Sequence, residues 1–126
     1  MKRIRSPVIG AAAVGLAGLL IWGVASAHDP AVVNPKTVHV ELDNSRVRVL
    51  EAVLAPGERE QLHSHPASVL HVIVGGKISN HTADGKTAEV ELKSGETSYR
   101  EPTTHWAENI GTTTIRLILV ELKDPM

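Results

Sequence analysis

From residue 37 onward, apolar and polar side chains alternate in short runs broken by turn-forming residues, and no stretch repeats its apolar positions at helical spacing. The pattern predicts eight or nine short strands, over 37–42, 46–54, 62–65, 68–74, 77–82, 86–92, 96–101, 104–110 and 114–122. The breaks between them are Asp43-Asn44-Ser45, Ala55-Pro56-Gly57, Pro66, Gly75-Gly76, Asp84-Gly85, Ser94-Gly95, Pro102 and Gly111-Thr112-Thr113. Asp84-Gly85 between two alternating runs is a hairpin signal, because both residues tolerate the positive φ of a tight β-turn. The run 116–120 is mostly apolar on both faces, as a central strand requires. Many short strands at this spacing predict an all-β sandwich or barrel.

The first 27 residues follow a different pattern. Lys2, Arg3 and Arg5 precede an apolar run over 8–24, and Ala25-Ser26-Ala27 offers small residues where a signal peptidase cuts. Residues 1–27 are therefore expected to be a signal peptide, with an uncleaved membrane anchor as the alternative, since the run approaches the length that spans a bilayer. Either way, the rest of the chain is expected to be exported, periplasmic or secreted. Residues 28–36, with Pro30 and Pro35, read as an extended N-terminal segment. His28 is expected to lie in a disordered tail; exposed as a new N-terminus, its amine and imidazole together could chelate copper. Residues 37–126 form the expected folded domain.

Composition narrows the possible partners. Thirteen Lys and Arg stand against fourteen Asp and Glu. Removing Lys2, Arg3 and Arg5 leaves ten against fourteen, a net charge of −4 for residues 28–126 with no basic cluster. Nucleic acid and, once the leader is gone, an anionic membrane surface are poor partners for such a chain. There is no cysteine, so neither a disulfide nor thiolate metal chemistry is available. Tyr99 and Trp106 are the only aromatic Phe, Tyr or Trp residues after the leader, which leaves the core to Val, Leu, Ile and Ala.

The chemistry-bearing residues are histidines. His63-Ser64-His65 on a strand places both imidazoles on one face, because side chains alternate sides. A third histidine arriving on another strand would make half or more of a transition-metal coordination sphere.

In this order and spacing the chain resembles a small single-domain cupin. The family's first motif is Gly, five residues, His-x-His, three or four residues, Glu, six residues, Gly; Gly57, His63, His65 and Gly76 fit it. The second runs Gly, about five residues, Pro-x-Gly, two residues, His, three residues, Asn. Gly95, Pro102, His105 and Asn109 match in order, with one extra residue before Pro102, Thr104 in place of the second glycine and the two residues before the histidine absent. The likeness covers residues 46–123. It implies a double-stranded β-helix, or jelly roll, with His63, His65 and His105 as ligands of one divalent transition metal (Fe, Mn, Ni, Cu or Zn) at the barrel mouth. It also implies a homodimer.

The chain departs from the motif at one ligand. The family's glutamate falls on Val69, or on Ser68 if the register slips by one, and no Asp or Glu lies between Glu60 and Asp84. His71, two residues past Val69, is a candidate replacement fourth ligand or proton-transfer group; the alternative is a half-buried histidine bonded to backbone or solvent. Glu108 is expected to face away from His105, and His81 and His39 to lie on the surface. Tyr99 and Trp106 could line the cavity or fill the core, and one of Arg48, Arg100 and Arg116 could meet an anionic substrate. Three neutral imidazoles leave several coordination positions open, as in the three-histidine cupin dioxygenases. The function expected is a metal-dependent oxygenase or isomerase/lyase acting on a small molecule. The alternatives are a non-catalytic module that binds a small ligand or metal, and a surface-assembling β-protein.

Overall fold

The computed structural model describes residues 28–124; the expected leader, residues 1–27, lies outside them. Among the described residues no helix is long and apolar enough to cross a membrane. The described residues form one helical turn, α1 (Pro30–Val33), and nine strands: β1 (Val38–Asp43), β2 (Val47–Leu54), β3 (His63–His65), β4 (Ser68–Val74), β5 (Gly76–Thr82), β6 (Thr87–Leu92), β7 (Thr97–Arg100), β8 (Thr103–Asn109) and β9 (Ile115–Leu122). Every expected strand is present with both ends within one residue of the expected bounds.

The strands build two antiparallel sheets, ordered β1-β2-β9-β4-β7 and β3-β8-β5-β6. Successive strands often pair with distant ones, the wiring of a jelly roll. β9 is the middle strand of the larger sheet, which explains its two apolar faces. The Asp84-Gly85 hairpin forms as expected: Gly85 has φ +91°, and Asp84 Oδ1 accepts from Lys86 N and Thr82 Oγ1. At Gly75 a Cβ would lie 1.9 Å from the Leu92 carbonyl oxygen, so only glycine lets the β4–β5 turn pass so close to β6.

The core falls into two aliphatic clusters. Val38, Leu50 and Ala52 pack with Leu117, Leu119 and Ala31, while Val72, Leu92 and Ile115 pack with Ile78, Val90 and Leu117. Between the sheets a cavity of about 360 Å³ remains, walled by these aliphatic side chains and carrying the histidines.

The N-terminal segment departs from expectation. Asp29 caps α1, its Oδ1 accepting from Ala31 N at 2.9 Å, and Pro30 is fully buried. The sequence Asp-Pro is a helix start in itself, a capping carboxylate followed by the one residue that needs no N–H partner there. His28 is not a loose tail either, because its carbonyl accepts from Ser64 N at 2.8 Å.

Candidate metal centre

β3 and β8 lie side by side with His63 directly opposite His105, and alternation turns His65 to the same face. The ring centroids are 4.7 Å apart for His63–His65 and His63–His105, and 5.5 Å for His65–His105. One ring nitrogen from each lies within 4.8 Å of the other two.

Which nitrogen is available follows from the partners of Nδ1. His63 Nδ1 lies 2.8 Å from the Gln61 carbonyl oxygen, His65 Nδ1 2.7 Å from Glu121 Oε2, and His105 Nδ1 2.7 Å from Asn80 Oδ1. All three partners are acceptors, so each Nδ1 carries the proton and each Nε2 keeps its lone pair. Burial, aided by the neighbouring rings, pushes His63 down to about 4 and His105 to about 3, so both are neutral at physiological pH. Neutral, tautomer-fixed imidazoles sharing a cavity are the donor set a borderline-soft divalent metal takes.

Each partner is itself anchored. Glu121 is buried and accepts from Arg48 Nε at 3.0 Å, while Arg48 Nη1 reaches Asp29 Oδ2 at 2.8 Å. Burial works against ionisation of Asp29, but the bonds from Arg48 and the α1 backbone outweigh it and hold the carboxyl below its ordinary range. Asn34 holds Gln61, and through it His63: its Oδ1 accepts from Gln61 N at 2.7 Å and its Nδ2 donates to Gln61 O at 3.3 Å. The segment expected to be merely extended thus braces both histidines of the motif.

No family model and no curated protein matches the chain, but solved structures do. A cupin domain from Bordetella pertussis Tohama I is 27% identical, with a TM-score of 0.64 over 69% of this chain and 92% of that one. A conserved protein with a double-stranded β-helix domain from Klebsiella pneumoniae is 26% identical (TM-score 0.54; 66% and 72% covered). An RmlC-like cupin family protein from Methanocaldococcus jannaschii shares the fold at 22% identity (TM-score 0.54; 71% and 83% covered). The chain belongs to the cupin superfamily.

Of the two positions named for the family's glutamate, Ser68 is the one that faces the cavity. Ser68 is buried and lines the cavity, whereas Val69 faces outward between Val120 and Tyr99. His71 shares the outer face with Val69; it is exposed, and its Nδ1 bonds Thr97 Oγ1 at 2.8 Å. It is therefore neither a fourth ligand nor a cavity proton-transfer group. The reason is parity: Pro66 and Ala67 interrupt the alternation, so the inward face passes from His65 to Ser68, Leu70 and Val72.

Other expectations sort by face in the same way. Asn109 is buried and ties Leu54 O, Thr113 O and Gly111 N together at the base of the barrel. Trp106 lies outside the cavity lining, stacked on His81 with ring centroids 3.7 Å apart and Arg59 over the indole at 4.2 Å; His81 is accordingly half-buried. Tyr99 is exposed, Arg116 pairs with Glu51, and Arg48 is spent on Asp29 and Glu121, leaving Arg100 as the arginine lining the cavity.

Sequence reasoning missed Glu121, Asn34, Asn80 and Glu60. Glu121 had a readable signal, since it continues the inward Ile115, Leu117, Leu119 series and is an acid on an apolar face. Glu60 sits in the cavity lining with Oε1 4.0 Å from His63 Nε2, and burial pushes its carboxyl up to about 7 although Ala107 N–H pulls the other way.

Proposed function

We propose that this cupin is a metal-dependent enzyme of the oxygenase or isomerase/lyase kind, acting on a small, largely apolar molecule. His63, His65 and His105 would hold one divalent transition metal, and the observation that carries this is the set of three Nδ1 acceptors that leave three Nε2 lone pairs to the cavity. When bound, such a metal supplies Lewis acidity and open positions for a substrate oxygen or dioxygen. The aliphatic walls, among them Leu50, Leu70 and Leu117, keep bulk water from the reacting group. Arg100, in the cavity lining, offers a cation to an anionic end of the substrate.

Export through residues 1–27 remains part of this proposal and rests on the sequence pattern. So does a homodimer, which is supported by the outer face of the larger sheet. There Leu42, Val49, Val120, Val69 and Tyr99 lie in one row across all five strands.

The test is metal content by elemental analysis of chain purified without chelator or affinity tag, followed by turnover screens with the metal found. The expected result is about one equivalent of one transition metal in wild type and none in His105→Ala. Equal metal content in both would overturn the site. Stoichiometric metal without turnover of any small-molecule class screened would favour a binding module.

A further inference from the structure

We propose that the cavity takes a small aliphatic carboxylic acid, its carboxylate on Arg100 beside the three histidines and its tail running toward the base of the barrel. This assignment names the substrate class for the cavity chemistry proposed above and rests on that reading. Arg100 closes β7 and stands directly opposite Ser68 of β4, whose neighbour on the other side is Glu121 of β9. Ser68 and Glu121 are both buried, and Glu121 holds His65. The register therefore sets Arg100 on the inward face at the level of the histidines, where it lines the cavity.

Among the described residues no acid uses this cation. Arg48 pairs with Asp29 and Glu121, and Arg116 pairs with Glu51. Arg100 donates only its Nε–H, to Ser98 Oγ at 3.2 Å, and forms no ion pair with Glu101, the acid beside it in the lining. Its remaining N–H groups form the planar fork that matches a carboxylate. Ser68, in the place opposite, brings no acid to it. The carboxylate that completes the pair comes with the ligand.

The rest of the cavity selects the tail. Beyond the Ser68 row the inward pairs are Leu70 with Leu119, Ala52 with Leu117 and Leu54 with Ile115, all aliphatic. A second polar group at the far end of the ligand would be buried there without a partner, which disfavours sugars and dicarboxylates. The cavity of about 360 Å³ holds about a dozen non-hydrogen atoms at the ~30 Å³ that a water occupies in the liquid. That limits an unbranched acid to about ten carbons.

Calorimetric titration of the full chain with butanoate, hexanoate, octanoate and octan-1-ol tests this, on protein as purified and after chelator treatment. The expected result is one octanoate per chain in both, with affinity rising about fourfold per methylene from butanoate to octanoate. Octan-1-ol should bind more weakly. Arg100→Gln is expected to lower octanoate affinity about ten- to a hundredfold and leave octan-1-ol affinity unchanged. Ser68→Glu, which gives Arg100 an internal carboxylate, should lower octanoate affinity as well. Wild-type octanoate affinity in Arg100→Gln, several octanoates per chain, or no saturable binding would each overturn the Arg100 assignment and leave the metal test of the three histidines untouched. Conversely, wild type without metal would overturn the proposed function, while octanoate binding to the chelator-treated chain would still support the acid site.

Discussion

His65 and Glu121 meet across the two sheets, Nδ1 to Oε2 at 2.7 Å, and the same carboxylate takes the Nε–H of Arg48 on its other oxygen. One buried acid thereby orients His65 on β3 and neutralises Arg48 on β2. The pair makes the smaller sheet's metal face depend on the middle strand of the larger sheet.

Replacing that acid should damage both roles. Glu121→Gln is expected to weaken divalent-metal binding roughly 10- to 100-fold, the usual cost of losing the partner that orients a ligating histidine. It should also lower stability by about 1–3 kcal/mol, because Arg48 keeps only Asp29 as a charged partner. Metal titration and urea denaturation on the same protein would separate the two effects.

The two candidate positions for the family's glutamate give a paired test. Ser68→Glu is expected to tighten divalent-metal binding by adding an anionic donor inside the cavity. Val69→Glu is expected to leave it unchanged, since that side chain faces outward. Titration of both variants with Mn(II) would reveal a reversed order if the inward face were assigned wrongly.

The nine strands were legible because their signals are local: alternation within a run, and Gly, Pro, Asn or Asp at the breaks. The three clustered histidines were legible through motif spacing. The fourth position was not, because Pro66 and Ala67 reset the alternation and parity cannot be counted through an irregular pair. His71 inherited its wrong assignment from that step. Asn34, Asn80 and Glu60 escaped for another reason, since their partners lie 25 to 47 residues away in sequence and only the closed barrel brings them together.

The metal-free protein should show opposing pH effects. His63 and His105 titrate in the fold near 4 and 3 against an ordinary 6.5, so their contribution is present above 6.5 and is lost as pH falls toward those values. Glu60 has the other sign. Its carboxyl titrates near 7 in the fold against 4.5, so its contribution is present below 4.5 and is lost as pH rises through 7. Thermal melts of metal-free wild type and Glu60→Gln are therefore expected to diverge from pH 5 to 8, with the variant gaining relative to wild type. Parallel curves would contradict the raised Glu60 value.

The apolar row on the outer sheet face predicts an assembly defect. Val120→Glu places a charge at the centre of the row, between Val49 and Val69, and should convert a dimer to a monomer in sedimentation. The metal site faces the other way, so bound metal per chain should not change.

The clamp between Asn34 and Gln61, with the His28 carbonyl on Ser64, has a consequence for how the protein is assembled. His63 and His65 come from the middle of the chain, but their orientation is controlled from residues 28–34 and from residue 121. The alignment of His63 and His65 therefore requires both of these segments to be docked. A chain clipped or tagged within residues 28–34 would keep every ligand and lose their alignment. The folded unit accordingly includes residues 28–34 ahead of the first strand.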